Sequence, residues 1–393
     1  MDNRISPLRE SKRLVWIDAI RGFAILGIFM VNIGAFSAPY FMYGEVRDLA
    51  QLNRMMQVII DIFFQASFYT LFSILFGFGM QMMKERIETR QESLYPILFR
   101  RMAILLCFGT IHAFVLWHGD ILFSYSITGF LLIFLLHLNK RTQLTMAMYL
   151  LGITVAFISW LYYVTRDYLG YPNKQAIDEA IAHYQSSSLS IIWKQNYQDW
   201  MYSNSGMGFL FLLIVLLSFF LMGVYIAKKK WLHEPKKHRN TLIKVWILSL
   251  ILFIGLKMGP YMFSNPLWFS YIQDNVGGVA SAVFYIVSMT LLAQSRLGMK
   301  LIMPFTYVGR MALTNYILQS LLSFILFYGV GFGLYDAVSP IVGTFIVVLV
   351  YILQTMFSKW WLTHFRFGPL EWLWRSLTYW KKQPFKRERS TAR

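Results

Sequence analysis

The sequence predicts an all-α fold, a polytopic membrane bundle of about ten transmembrane helices. Of its 393 residues, 57% are hydrophobic and only 14% are charged, whereas soluble domains carry about 25% charged residues. Apolar runs of about 20 residues, each long enough to cross a bilayer, recur along the whole chain. One such run could be a signal peptide, but ten of them cannot be. The predicted spans are 15–36, 57–83, 96–117, 119–137, 142–165, 205–227, 241–262, 270–293, 309–333 and 338–362.

The distribution of Lys and Arg predicts the orientation of these spans. With the N-terminus inside, the cytoplasmic segments hold 28 Lys and Arg residues and the outer loops hold 5. Because cytoplasmic loops of membrane proteins are enriched in these residues, both termini are predicted to be cytoplasmic. The net charge of +18 is spread over many short loops. We therefore expect membrane lipids as partners and no nucleic acid.

Residues 15–362 form the predicted transmembrane domain, which includes one long outer loop. The one long outer loop, 166–204, has helix-like composition at 176–184 and 189–201. It either covers an outward-facing site or simply connects two helix bundles. The remaining segments are a cytoplasmic N-terminal segment, an interfacial cytoplasmic helix on the inner leaflet and a basic tail: 1–14, 363–380 and 381–393.

Ionisable groups inside the first span are the first candidates for function, because they are costly in a membrane. Asp18, Arg21 and Asn32 share one helix face, since steps of three or four residues connect them through Ile25 and Ile28. Arg21 and Asn32 are about 16 Å apart along the helix axis. This face therefore has a cation near the cytoplasm and an amide near the outer side. Alternatively, Asp18 and Arg21 pair with each other and only fix the helix end.

A second group of polar residues is predicted at the outer ends of the spans. Asp61 opens the second span, His112 lies inside the end of the third, and His118 and Asp120 form the turn to the fourth. We expect them at the depth of Asn32. A histidine beside carboxylates is suited to general base catalysis. The alternative is that these groups are satisfied locally at the water interface.

The ninth span carries Arg310, Asn315, Gln319 and Ser323, whose spacing places the last three on one face. Such a stripe lines either a cavity or a helix–helix seam held by amide hydrogen bonds. Lys257 in the seventh span either snorkels outward or reaches the polar cavity. We regard Arg310, Asn315, Gln319 and Lys257 as candidates to bind a substrate.

Three stretches together resemble the YeiB family of bacterial inner-membrane proteins. This resemblance covers essentially the whole chain and implies a multi-pass protein of the bacterial plasma (inner) membrane. The stretches are residues 17–28 (IDAIRGFAILGI) with Asn32, residues 112–125 with Gly119-Asp120 and Tyr125, and residues 309–316 (GRMALTNY) with residues 368–375 (GPLEWLWR).

The opening Asp18-x-x-Arg21-Gly is, more distantly, similar to that of transmembrane acyltransferases, namely acyltransferase family 3 and heparan-alpha-glucosaminide N-acetyltransferase. The resemblance implies a cytosolic acyl-CoA donor and an outer acceptor that is a sugar, a lipid or a cell-envelope component. It also makes a homodimer conceivable. Asn32 stands where family 3 has its key histidine. The heparan enzyme has Asn there and a His in the next loop, near which this chain has Tyr43, a further substrate-binding candidate. Asp61 matches the Asp that opens the second span of the heparan enzyme.

The sequence contains no His in residues 33–60, so the expected catalytic histidine is absent from its usual place. His112 or His118 would take over as general base, or briefly as acyl acceptor. Asp120 or Asp61 would orient it. Asn32 would donate to the oxyanion. The phosphates of the acyl-CoA would bind two cations, Arg21 and Arg310.

Two other functions remain open from the sequence. The polar residues could line the route of a transporter or exporter of a small amphipathic or anionic solute, although the chain lacks the repeated halves of many transporters. A non-catalytic binding or sensor protein could instead bind a lipid or cell-wall fragment on loop 166–204. No metal is predicted, because the seven histidines lack ligand spacing and the single cysteine excludes a cysteine-based zinc site.

Overall fold

Long apolar helices make up most of the chain in the computed structural model, which describes residues 14–43 and 50–387. Within these residues, eight helices are long and apolar enough to cross a membrane, and a bent pair makes a ninth. The predicted all-α helical bundle is confirmed. The helices are α1 Val15–Ser37, α2 Gln51–Phe63, α3 Ser67–Thr89, α4 Leu94–Ile111, α5 Leu122–Leu135, α6 Lys140–Val164, α7 Lys174–Tyr184, α8 Leu189–Asn204, α9 Gly206–Lys228, α10 Arg239–Phe253, α11 Ser270–Ile272, α12 Gly278–Leu292, α13 Arg296–Arg310, α14 Ala312–Phe327, α15 Pro340–His364 and α16 Pro369–Thr378.

Two of the ten predicted spans differ from a single long helix. Helix α5 has 14 residues, about 21 Å, which is less than the roughly 30 Å of a bilayer core. Just after its last residue, the carbonyl of Leu136 accepts hydrogen bonds from Lys84 and Lys228, both at 3.1 Å. The span predicted at 309–333 is α14, which meets α13 at a bend of 76°. Helix α13 was not predicted, because its polar residues lower its hydropathy.

Helices α1 and α13 cross at a pair of glycines. A Cβ atom on Gly22 would lie 1.9 Å from the Phe305 carbonyl oxygen, and one on Gly309 would lie 1.8 Å from the Asp18 carbonyl oxygen. Both contacts are with backbone, which cannot move aside as a flexible side chain can. The crossing holds Arg21 and Arg310 at the same end of the bundle, which we call the basic end because Arg86, Arg101 and Arg375 also lie there. The opposite end is the far end.

Replacing Gly309 by Val should separate α1 from α13 and lower the free energy of unfolding by about 1–3 kcal/mol, the usual cost of overpacking. The melting temperature of the detergent-purified protein measures this loss. Gly152→Val is the matched control, because nothing lies within 4 Å of a Cβ atom at that position. Equal melting temperatures for the two variants would contradict the close crossing.

The segment predicted as a long outer loop contains the two expected short helices, α7 and α8. Tyr184 at the end of α7 stacks on Tyr328 with ring centroids 4.6 Å apart, and its carbonyl accepts from the Gly329 amide at 2.8 Å. The segment is therefore packed onto the far end of α14. This packing favours the covering role over that of a simple connector.

The C-terminal residues are ordered up to the end of the described range. Helix α16 lies within the helix predicted at 363–380. After it, the Arg366 amide donates to the Phe385 carbonyl at 2.9 Å, and the Arg387 amide donates to the His364 carbonyl at 2.9 Å. Residues 381–387, which we call the C-terminal strap, thus pack against the turn between α15 and α16. The rest of the predicted basic tail and residues 1–13 lie outside the described residues.

Candidate functional site

A cavity of about 970 Å³ enters the bundle from the basic end. Its mouth is cationic, and its inner walls are apolar, with Ile25 and Ile28 of α1 facing Phe72 of α3 and Tyr316 of α14. A cavity of this size suits a ligand that combines anionic groups with an apolar part. The cations that line it are Arg21, Arg86, Arg101, Arg310, Arg366, Arg375, Lys381, Lys382 and Arg387.

Helix α16 fixes one wall of this mouth. The Glu371 carboxylate accepts from the Leu313 and Thr314 amides at 2.7 and 3.0 Å, so it satisfies the open N-terminus of α14. Burial raises the pKa of Glu371, and hydrogen bonds from Thr314 oppose this shift. The Trp374 ring packs under the Arg101 guanidinium at 3.7 Å. These contacts hold the guanidinium groups around the mouth.

The C-terminal strap supplies further cations. Phe385 packs on Phe365, with centroids 4.7 Å apart, and on Trp372, at 5.1 Å. The Trp372 indole also donates to the Gln383 carbonyl at 2.8 Å. The aromatic anchor therefore places Lys381, Lys382 and Arg387 at the cavity lining, a contribution that the sequence did not suggest.

The predicted pairing of His112 with Asp120 is present, one layer of side chains beyond the inner end of the cavity. His112 Nδ1 lies 2.7 Å from Asp120 Oδ1, and His112 Nε2 lies 2.7 Å from the Ser320 hydroxyl. All three side chains are buried. In the tautomer that donates from Nδ1 to the carboxylate, which only accepts, Nε2 is free to accept the Ser320 hydroxyl. His112 contacts Tyr316, a lining residue, at a centroid distance of 5.0 Å.

A wider helical turn orients His112. The helix of α4 continues as a π-helical turn, His112–Leu116, which leaves carbonyls without regular partners. Asn196 and Trp193 of α8 donate to two of them, the Ala113 and Val115 carbonyls, at 2.7 and 3.1 Å. Asp120 in turn accepts from the Phe123 amide at the start of α5, at 2.6 Å. Helix α8 therefore covers and stabilises the turn that carries His112.

Asp61 belongs to a different cluster from His112. The Lys257 ammonium, which is completely buried, lies 3.1 Å from Asp274 Oδ1 and 4.0 Å from Asp61 Oδ1. Tyr261 and Gln273 donate to Asp61 Oδ2 at 2.5 and 3.2 Å. Lys257 and Asp274 each lie in a π-helical turn, Ile254–Met258 and Gln273–Gly277. Lys257 thus pairs with carboxylates and does not snorkel, and within the described residues no member of this cluster lines the cavity.

His118 lies in a third environment, beneath α7 and α8. Its Nδ1 is 3.3 Å from the Tyr184 hydroxyl and 3.9 Å from Asp199 Oδ2. Tyr184 itself donates to Asp199 at 2.6 Å. Burial lowers the pKa of His118, and the charge of Asp199 opposes this shift. His118 therefore helps to attach the covering segment, whereas His112 contacts the cavity lining through Tyr316.

The polar stripe of α14 forms a seam with α15. Gln319 donates to Gln354 at 2.9 Å, Gln354 donates to the Asn315 carbonyl at 2.9 Å, and Asn315 donates to Ser358 at 3.0 Å. The alternative of a helix–helix seam is thus the one observed for Asn315 and Gln319. Arg310, at the end of α13, does line the cavity.

The remaining candidates lie on α1 and in the turn that follows it. Asn32 is partly buried, one turn beyond Ile28 on the cavity face, and within the described residues no hydrogen bond joins it to His112. Tyr43 donates to Asp336 in the loop before α15. Asp18 and Arg21 form an ion pair at 3.3 Å, and both also line the cavity. The expected Asp18–Arg21 pair is therefore present, and its ligand-binding role stays a prediction.

Sequence reasoning missed Ser320, because a serine in an apolar helix carries no distinctive signal. Its position five residues after Asn315 and one after Gln319 turns it away from the polar stripe. The spacing of Tyr316 and Ser320, one turn apart, could have indicated a second face. Among the described residues, no group of three or more His, Cys, Asp and Glu side chains could hold a metal ion.

Comparisons with known proteins give relatives along the whole chain. Residues 226–381 match a family described as Protein of unknown function (DUF418). Uncharacterized protein YxaH of Bacillus subtilis (strain 168) is 36% identical, over 97% of this chain and 98% of its own length. An uncharacterized 39.9 kDa protein in the amylase 3′ region of Bacillus acidopullulyticus is 29% identical, over 97% and 98%. Uncharacterized protein YeiB of Escherichia coli (strain K12) is 29% identical, over 93% and 96%.

Proposed function

The chain belongs to the YeiB-like family of bacterial proteins, and we propose that it is a membrane-bound acyltransferase that takes its acyl group from acyl-CoA. The donor enters from the cytoplasm at the basic end, and the acceptor is a sugar, a lipid or a cell-envelope component on the outer face of the plasma membrane. The observation that carries this proposal is the cavity, which leads from a cationic mouth past apolar walls to Tyr316, the ring that contacts His112.

The mouth has the chemistry that the phosphates of CoA require. Arginine binds phosphate through charge-assisted, often bidentate, hydrogen bonds. Arg21 and Arg310 come from two helices that cross at the glycine pair, and the strap adds cations from the other side. The pantetheine arm then runs along Ile25 and Ile28, and the thioester arrives at Tyr316.

His112 has the chemistry that the transfer requires. It acts as general base at Nε2, while Asp120 holds the ring and stabilises the cation that forms during transfer. Asn32, further along the cavity face of α1, donates to the oxyanion. Helix α8 covers this end and excludes water, so the acyl group is not lost to hydrolysis.

Binding of acetyl-CoA and longer acyl-CoAs to the detergent-purified protein tests the proposal. We expect micromolar binding, weakened about 10-fold or more in Arg21→Gln and in Arg310→Gln and weakened by salt, because each variant removes a cation from the phosphate site. Lys140→Gln is the matched control, since Lys140 is exposed at the same end and does not line the cavity. Absence of binding by any acyl-CoA to folded protein would remove the acyltransferase reading.

A second candidate function is transport of a small amphipathic anion. The buried cluster of Lys257, Asp61 and Asp274 favours it, because ionisable groups in membrane helices often mark ion pathways. The anion would enter the same cavity and leave at the far end. Flux of the solute into liposomes that hold the pure protein and no acyl-CoA would support transport. Tight binding of a lipid or glycan with neither flux nor turnover would instead support the sensor function.

A further inference from the structure

We infer that Ser320 is a nucleophile that holds the acyl group as an ester between the donor and the acceptor, an inference that rests on the proposed acyl transfer. The Ser320 hydroxyl, His112 and Asp120 form a continuous hydrogen-bonded chain with two contacts of 2.7 Å. A serine activated by an imidazole that a carboxylate orients is the general arrangement of nucleophilic catalysis, recognised by its geometry on unrelated folds.

The position of Ser320 suits this role. Leu313 and Tyr316 line the cavity from α14, and Ser320 lies one turn beyond Tyr316 on the same face. Ile121, the neighbour of Asp120, lines the cavity from the other side. The reactive hydroxyl is therefore one layer of side chains beyond the inner end of the cavity. A rotation of the Tyr316 ring is the smallest movement that would connect them.

A short contact with an imidazole distinguishes this hydroxyl from the other buried polar groups of α14. Ser320 is fully buried, yet its hydrogen bond to His112 is short, whereas its contact with the Tyr316 carbonyl is long at 3.5 Å. Serines in membrane helices commonly bond the carbonyl one turn earlier. Ser320 is thus held mainly by the imidazole, in the orientation that delivers its proton to Nε2.

The chemistry of the two half-reactions balances without a further reactant. The Ser320 Oγ atom attacks the thioester carbonyl carbon, a C–O bond forms and the C–S bond breaks. The hydroxyl proton passes to His112 Nε2 and then to the leaving thiolate, which departs as free CoA. The acceptor hydroxyl or amine next attacks the ester, gives its proton to His112 Nε2, and Ser320 regains that proton as the acyl group leaves.

A covalent intermediate also resolves a geometric difficulty of the proposed function. The donor enters at the basic end, and α7 and α8 cover the far end, with α8 hydrogen bonded to the turn that carries His112. A single-step transfer would need donor and acceptor at His112 at the same time. Storage of the acyl group on Ser320 lets CoA leave before the cover opens to the acceptor.

The test is an acyl-trapping experiment without acceptor. Purified protein is mixed with acetyl-CoA or octanoyl-CoA, quenched in acid and digested, and the α14 peptide is examined by mass spectrometry while released CoA thiol is counted. We expect one acyl group per protein on Ser320 and a matching burst of thiol. Ser320→Ala should lower the burst at least about 100-fold, and Ser320→Cys should restore an adduct that hydroxylamine removes.

Ser323→Ala is the matched control, because Ser323 is also buried on α14 and within the described residues has no hydrogen bond to His112. It should keep the full burst. Acyl-CoA that binds without forming an adduct, or an adduct on another residue, would overturn the serine intermediate and leave the proposed acyl transfer standing. A wild-type protein that binds no acyl-CoA at all would instead overturn the proposed function and the intermediate with it.

Discussion

His112→Ala is expected to reduce acyl transfer by about 100- to 10,000-fold, the range that general base catalysis supplies. The substitution removes the base and leaves the Asp120 carboxylate and the Ser320 hydroxyl without their 2.7 Å partner. Acyl-CoA binding should be nearly unchanged, because the cations of the mouth lie at the other end of the cavity. Turnover of acyl-CoA with a crude membrane extract as acceptor source, alongside direct binding, measures both quantities.

Two further variants make this result specific. His112→Gln keeps polar atoms near Asp120 and Ser320 but cannot take up a proton, so it should be as inactive as His112→Ala while melting closer to the wild type. His137→Ala is the control, because His137 is exposed at the basic end and outside the cavity lining. Unchanged turnover in His112→Ala would exclude the mechanism.

Lys257→Met should lower the free energy of unfolding by about 3–5 kcal/mol, the cost of leaving buried charges without their partner. Lys257 is completely buried, and its ammonium is shared by Asp274 and Asp61, whose side chains are only 31% and 26% exposed. Without the lysine, the carboxylates of Asp61 on α2 and Asp274 in its π-helical turn face each other as two like charges. The melting temperature and chemical unfolding of the purified protein provide the measurement.

The double variant Lys257→Met/Asp274→Asn separates charge from packing. If loss of the ion pair causes the lower free energy of unfolding, removal of one carboxylate should recover much of that free energy. A double-mutant cycle measures this coupling. Lys244→Met serves as the control, because Lys244 is exposed on the same predicted span. An equally large loss of stability in Lys244→Met would mean that hydrophobic substitution in general, and not the broken ion pair, destabilises the protein.

Hydropathy was sufficient to predict the helices that cross the bundle, because a membrane span is specified locally by length and apolar content. The ten predicted segments each fall on a helix. Helix α13 was not predicted because it is amphipathic. Helix α5 was predicted too long, because hydropathy does not show the contacts of Lys84 and Lys228 with the carbonyl at its end.

The candidate site was predictable in part. The His112–Asp120 pair follows from their nearness in the chain across a short turn, and the cationic role of Arg21 and Arg310 follows from their cost inside a membrane. Asp61 and His118 share the expected depth but not the expected partners, since each joins residues more than 60 positions away, Lys257 and Tyr184. The depth of a residue along its helix does not determine how that helix is rotated or which residues pack against it.

The sequence by itself determined the all-α class, the number of apolar segments, the basic loops and the set of polar residues that a membrane makes costly. Only the tertiary structure decided which of these residues meet: Ser320 with His112, Lys257 with two aspartates, and the C-terminal strap with the cavity mouth. The physical reason is that apolar composition acts on each helix separately. Hydrogen bonds and ion pairs depend on helix rotation, on the π-helical turns that shift it, and on close crossings such as that of Gly22 with α13.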